Sequence, residues 1–340
     1  MLAKLYLNAG VYTGTPQYEK VITACDAIIN SGKYSLEPNY FANFNVNNSG
    51  SKEFIFAIPY DKVFFTGFNL VMQTLSYLNQ TTYNLSAQPW NGFCSLEEFY
   101  DSYDDADLRK GEPGTVEGPS IKRGNFLAGY QFSSSGAVLL DDGFETPKPD
   151  RLPAPLLGDP DGKPLNFGSI GSTQPQINEL GPQALRQAGV RIGKWEFEIG
   201  GLTDMSNDYA VFRLADVLLM KAEALWRLNQ PAPALVLVNQ IRARAGVPAL
   251  TTLDGPLSFD MAGPSVPGGE LFNEMGREMA FEKGKRQAMI RWGVYTQVAK
   301  WALPAYNPGD VIVSDPKTNL FPVHKDKIAA NPNLTQNPGY

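Results

Sequence analysis

Histidine is almost missing from this chain: its only one is His324, between Val323 and Lys325. A Ser–His–Asp or Cys–His arrangement would have to use that residue, and its Pro-bounded neighbourhood reads as a solvated surface segment. Zinc sites draw on several His or Cys ligands, which are not available here. Cys25 and Cys94 fit neither a disulfide scaffold nor a metal site. Cys25, next to Ala24 in a helical pattern, reads as a buried free thiol. Neither cysteine sits near residue 1, so neither offers a lipidation site of the bacterial N-terminal kind. A strong basic tract is also lacking: Lys+Arg 29 against Asp+Glu 35 gives a net charge of −6, which disfavours nucleic acid as a partner. No apolar run is long enough to span a bilayer, and no charged-then-apolar signal segment opens the sequence. Phosphate-cradling loops and dinucleotide fingerprints are absent, and no cofactor is expected.

What is present is helical. Across Asn207 to Gly246, Val211, Leu214, Ala215, Leu218, Ala222, Leu225 and Trp226 recur at three- and four-residue steps, which predicts an amphipathic helix from about residue 207. Glu223 and Arg227 are an i,i+4 pair in the favourable order. Pro231 restarts the pattern at a first-turn position, and Ala234, Val238, Ile241 and Ala245 stripe a second helix closed by Gly246. Two helices with a short connection approach the roughly 34-residue period of a tetratricopeptide unit. Residues 2–32 predict a second pair of this kind: Leu2, Leu5, Tyr6 and Ala9 on one face up to Gly10, then Val21, Ile22, Cys25, Ile28 and Ile29. Residues 269–301 predict a third, with Leu271, Met275, Met279 and Glu282 sharing a face. A helical pair that starts at the first residue has one side bare, so the natural protein is expected to extend further toward the N-terminus.

Between the pairs, residues 39–206 form an irregular insert. Phe54 to Ile58 shows no alternation and reads as a strand buried on both faces, with Glu53 before it as a solvent or cap residue. From Asp61 to Tyr103, aromatic rings (Phe64, Phe65, Tyr77, Tyr83, Trp90) alternate with amides (Asn69, Gln73, Asn84, Gln88, Asn91) without helical period. A pyranose offers apolar C–H faces that stack on rings, and rim hydroxyls that need neutral double donors and acceptors. The same composition also suits an aromatic loop packed on helices. Asp107 and Arg109 read as a structural ion pair, and the Asp101–Asp107 run lacks the spacing of a calcium loop, so no metal is expected. Prolines and Asp-Gly turns dominate residues 111–200 and deny long helices there.

NDYAVFRLADVLLMKAEAL followed by NQIRARAGVP resembles the SusD/RagB family of outer-membrane glycan-binding lipoproteins. Further along, Arg277, Glu278, Phe281, Glu282, Arg286, Arg291 and Trp292 match parts of that family's pattern, while Lys283 separates Glu282 from Gly284 and Ala288 stands where an Asp is usual. The tail, with Asn331 to Asn333 and Gln336 to Tyr340, resembles the family's C-terminal signature. The resemblance implies a single domain over 1–340: mainly α, tetratricopeptide-like pairs at 2–32, 207–246 and 269–301, long loop and short-strand inserts, and a tail from 302. It implies non-catalytic binding of an oligosaccharide at the bacterial outer-membrane surface. It further implies delivery to a TonB-dependent transporter of the SusC kind, with attachment only through a lipidated N-terminal part not in this sequence. Within the aromatic stretch it points to Tyr77, Tyr83, Trp90 and Asn91 as ligand-binding residues. Two other classes compete. A helical-repeat adaptor with a peptide groove would show regular repeats end to end, which the long inserts interrupt. A glycosidase needs only two carboxylates about 5–10 Å apart, yet none pairs inside the aromatic stretch, where Glu97 and Glu98 are merely adjacent.

Overall fold

The computed structural model describes residues 1–95, 97–120, 122–141, 164–168, 189–259, 263–296 and 315–340. They fall into two compact units, 1–282 and 283–340.

The first unit opens with α1 (Leu2–Leu7) and α2 (Ala9–Thr13), separated by a break at Asn8. Asn8 turns its amide onto the Lys4 carbonyl at 2.8 Å, so one regular helix does not run through. Within α1 the inner face is not the expected one: Ala3 and Leu7 are buried, while Leu2 and Leu5 are exposed. The stop is Gly14 in the left-handed conformation, not Gly10. Helix α3 (Tyr18–Ile29) follows and buries Val21 and Cys25 as expected.

A 3-10 turn at Tyr40–Phe44 leads to β1 (Phe54–Ile58). Short helices α4 (Leu70–Thr74), α5 (Asn79–Tyr83) and α6 (Glu97–Asp101) punctuate the aromatic stretch. Two-residue strands β2 (Phe126–Leu127), β3 (Gly129–Tyr130), β4 (Asn166–Phe167) and β5 (Arg191–Ile192) pair antiparallel as β2 with β5 and β3 with β4. Strand β6 (Tyr209–Arg213) pairs antiparallel with β1 through two register irregularities. The helix expected from residue 207 therefore begins only at Leu214, because Tyr209 to Arg213 hydrogen-bond to a strand instead. Nor is β1 buried on both faces: the sheet has only two strands, and Phe56 and Ile58 remain exposed.

Helices α7 (Leu214–Arg227), α8 (Pro231–Arg244) and α9 (Gly269–Glu278) complete this unit. Helix α7 is central. It packs on α1 and α3 on one side and on α8 and α9 on the other. Being covered nearly all round, it buries Leu214 to Met220 and Ala222 to Leu225. Its polar members are paired: Lys4 with Asp216 at 3.1 Å, Lys221 with Asp26 at 2.5 Å, and the expected Arg227–Glu223 bridge at 2.8 Å. Pro231 starts α8, and Gly246 takes φ 74° just beyond its end, both as the periodicity implies. Helix α9 differs from expectation, since its buried face carries Glu274, Arg277 and Glu278 as well as Leu271 and Phe272.

In the second unit, α10 (Lys285–Arg291) is followed by a 3-10 turn at Pro316–Asn319 and α11 (Lys325–Ala330). The C-terminal Asn-Pro-Gly-Tyr lies back on this unit, with Asn337 Nδ2 donating to Phe321 O at 2.7 Å and the Tyr340 hydroxyl to Leu320 O at 3.0 Å. His324 is exposed and caps α11 through Nδ1. The end of the expected third pair, residues 297–301, and residues 302–314 of the tail lie outside the described residues.

Candidate functional site

The aromatic stretch is organised by α4. Its last turn exposes carbonyls that a helix end cannot satisfy internally. The strap Trp90–Phe93 satisfies them: Trp90 N donates to Met72 O at 2.7 Å, Asn91 N to Leu75 O at 2.9 Å and Gly92 N to Gln73 O at 2.7 Å. Asn91 takes φ 48°, a conformation Asn tolerates. At Gly92 an added Cβ would sit 2.9 Å from the Gln73 carbonyl, so this close backbone approach requires glycine.

The strap holds the indole of Trp90 45% exposed, and Tyr77, just past α4, is 39% exposed. Asn91 is half-buried, and its side-chain carbonyl accepts from Arg191 Nε at 3.0 Å. Tyr83 is also half-buried. Its ring lies 4.5 Å from that of Phe197, and burial pushes its hydroxyl above the usual phenolic range. The four sequence-derived residues thus flank one helix, with two open rings and two side chains occupied in packing or pairing. Asn69 and Gln73 add a half-buried amide pair on α4, bonded at 2.7 Å. Other amides of the stretch are structural: buried Asn79 bonds Thr82 and Gln131, and Gln80 holds the Leu85 carbonyl.

Next to the strap is a cavity of about 180 Å³. Leu70, Val71 and Thr74 of α4 form one wall, and Phe93 and Cys94 of the strap another. Ile192, Trp195, Phe197 and Phe281 close it from across the fold. Sequence patterning does not reveal this cavity, because its far walls come from beyond residue 190. The one available signal is the apolar alternation Trp195, Phe197 and Ile199, which is strand-like in sequence but irregular in the structure; its two rings line the cavity.

A second cluster is ionic and buried. Arg213 leaves β6 at the N-cap of α7 and turns inward, where Nη1 meets Glu53 Oε1 at 2.7 Å and Glu278 Oε1 at 2.6 Å. Its Nε and Nη2 hold the two oxygens of Glu282, both at 2.7 Å. Arg109 pairs with Asp107 at 2.7 Å, as expected, and also with Glu274 and Glu278. Arg244 joins Glu53 and Glu278, while Arg242 and Arg277 join Glu274. Glu53 is therefore fully buried within a salt-bridge network, not a solvent or cap residue. Glu282 holds both Arg213 and Lys194. Arg286, in the second unit, donates to the carbonyls of Thr318 and Asn319.

Burial alone would raise the Glu274 pKa, but Arg109, Arg277 and Arg242 outweigh it and hold the group at about 2. Glu278 lies well below its usual range for the same reason, with Arg244 and Arg213 the leading cations. Burial draws Lys194 down to about 8. Carboxylates this firmly ionised accept hydrogen bonds and do not donate protons at neutral pH, so the cluster is suited to cross-linking elements. Among the described residues no group of three or more His, Cys, Asp or Glu is placed to hold a metal ion.

Residues 187–340 match the SusD family model. The chain is 26% identical to the starch-binding protein SusD of Bacteroides thetaiotaomicron, over 99% of its own length and 59% of that protein's. A SusD-like protein, P25, of Formosa agariphila is 31% identical over 35% of this chain and 20% of its own. Among solved structures, a SusD superfamily protein from Parabacteroides distasonis superposes with a TM-score of 0.62 at 18% identity, covering all of this chain and 61% of the other. Surface glycan-binding protein A from Bacteroides thetaiotaomicron, in complex with laminarihexaose, gives 0.61 at 19% identity, over 98% of this chain and 62% of that one. These likenesses show the fold: mainly helical, tetratricopeptide-like, with few short strands.

Proposed function

Because the chain belongs to the SusD family, we propose that it captures an oligosaccharide at the α4 surface without chemical conversion. The observation that carries this reading is the half-open Trp90 indole, borne on a strap whose backbone makes three hydrogen bonds to α4 and the residue after it. A strap already ordered has less backbone freedom to lose when a sugar stacks on its ring. Tyr77 supplies a second open ring past the end of α4, Tyr83 packs on Phe197, and the Asn69–Gln73 pair supplies amides for hydroxyl groups, with Asn91 bracing the strap against Arg191. SusD is by name a starch-binding protein, and surface glycan-binding protein A was solved with a β-glucan hexasaccharide, laminarihexaose. Capture by an exposed surface of this kind typically runs from micromolar to millimolar, about 4–8 kcal/mol. That range concentrates an oligosaccharide yet releases it, here to a TonB-dependent transporter of the SusC kind at the outer-membrane surface. This part of the reading is supported by family membership.

The test is Trp90→Ala in affinity electrophoresis across a panel of polysaccharides. An indole of up to about 250 Å² that is nearly half open leaves roughly 100 Å² for contact, and one stacked face is worth about 1–2 kcal/mol. Retention should fall about 5- to 30-fold with circular dichroism unchanged. Retention equal to that of the parent protein removes Trp90 from the site, and release of reducing sugar from any retained polymer refutes capture without chemistry.

A further inference from the structure

The cavity next to the Trp90 strap has walls unsuited to sugar hydroxyls. Thr74 carries its one side-chain hydroxyl, and that group is engaged as both donor and acceptor, to Phe93 O at 3.2 Å and from Ile192 N at 2.9 Å. A sugar hydroxyl entering here would lose its water partners with little in return. An apolar group loses nothing of the kind. At about 180 Å³ the space exceeds the roughly 150 Å³ known to hold benzene in an aliphatic and aromatic cavity. Four of its walls are rings, Phe93, Trp195, Phe197 and Phe281, and rings favour another ring in edge-to-face contact. The cavity also shares structure with the proposed glycan surface: Phe93 lies two residues beyond Asn91, and the Phe197 ring carries that of Tyr83.

We propose that this cavity is a subsite for an aromatic acyl group esterified to the captured sugar, so that the protein selects aryl-decorated over plain glycan. This rests on the glycan-binding reading above. A substituent seated there would anchor one end of the ligand and leave the sugar ring to the open indole.

A thiol reports on the cavity directly. Cys94 is exposed and forms part of the wall, whereas Cys25 is fully buried and its thiol is pushed up to about 12, so a small alkylating reagent reads Cys94 alone. The experiment follows iodoacetamide alkylation of Cys94 in the full chain with toluene, methyl 6-O-benzoyl-glucopyranoside or methyl glucopyranoside present. Toluene and the benzoyl ester should each slow alkylation at least about threefold, and the ester should act at about tenfold lower concentration than toluene. Methyl glucopyranoside should have no effect at the same concentration. Leu70→Trp, a change at the half-exposed first residue of α4, should plug the cavity and abolish protection while the melting curve is kept. No protection by either aromatic probe overturns the subsite, and protection by toluene alone overturns its assignment to an ester of a sugar. Polysaccharide retention without Cys94 protection removes the subsite and leaves the glycan reading standing. Protection by the ester without retention of any polysaccharide supports the subsite and counts against the wider reading.

Discussion

Arg213→Met should destabilise the protein by about 3–5 kcal/mol, because it withdraws a cation from carboxylates that have no water to turn to. The guanidinium touches Glu53, Glu278 and Glu282, and all four side chains are buried. In the surrounding network Arg109, Lys194, Arg213, Arg242, Arg244 and Arg277 face Glu53, Asp107, Glu274, Glu278, Glu282 and, at the rim, Glu270. The charges balance one for one, so the variant leaves one uncompensated negative charge. Methionine keeps most of the volume of the arginine stem, which separates the electrostatic loss from a packing loss. Arg244 still reaches Glu53 and Glu278, and Lys194 still reaches Glu282, which holds the cost to one charge and not to three broken pairs. Urea denaturation at pH 7 measures it. The double variant Arg213→Met/Glu53→Gln restores neutrality and should recover part of the loss. Lowering the pH from 7 to 5 should narrow the gap between variant and parent, because protonating the orphaned carboxylate relieves it. A loss below about 1 kcal/mol with no change in pH dependence would refute the account of this network.

Acid should unfold the protein late and steeply. The folded-state pKa of Glu274 is lowered from 4.5 to about 2, so its contribution is complete above pH 4.5 and disappears as the pH falls toward 2. Glu278, also held well below its usual range, acts in the same direction. Thermal melts from pH 7 to 2 should show a plateau to about pH 5 and then a fall of several kcal/mol, whereas a fall beginning above pH 6 would mean that these carboxylates are not held ionised. Gly129→Ala should cost at least about 1–3 kcal/mol. This residue has φ 72°, and an added Cβ would lie 2.2 Å from the Gly114 carbonyl oxygen, so the β3 crossing cannot admit it. A melting temperature within 1 °C of the parent would show that this crossing relaxes without cost.

The helical pairs were legible where the signal is local. The period in α7 and α8, Pro231 at a first turn and Gly246 at an end all act within a few residues of themselves, and they appear where the pattern puts them. The misreadings share a different cause. Tyr209, Val211 and Phe212 favour a strand locally, but the helical apolar period runs on through Val211, and the pairing that decides it comes from β1, some 150 residues earlier in the chain. Glu53 looked exposed because the cations that bury it arrive from β6 and α8. Leu2 and Leu5 fit an apolar helical period as well as Ala3 and Leu7 do, and the packing of α1 on α3 and α7 decides which face turns inward. At the site, the rings and amides were readable as a composition, but their division into open and packed was not: Tyr83 is held by Phe197 and Asn91 by Arg191.

The long-range contacts that were hidden in the sequence are also those that hold the candidate site in place. The ionic network joins the residue before β1 to β6, α8, α9 and the Asp107–Arg109 turn. From Arg109 the connection runs outward: its carbonyl accepts Asn125 N at 2.6 Å, the Asn125 carbonyl accepts Gly193 N at 2.9 Å, and Gly193 follows β5, whose Ile192 N bonds Thr74 on α4. Helix α4 in turn carries the Trp90 strap. An irregular surface of short helices and two-residue strands has little cooperative stability of its own. Its backbone is tied through this chain of hydrogen bonds to a buried charged centre. Weakening that centre should therefore loosen the α4 surface before it unfolds the α1–α3–α7 helices, which pack through an apolar core of their own.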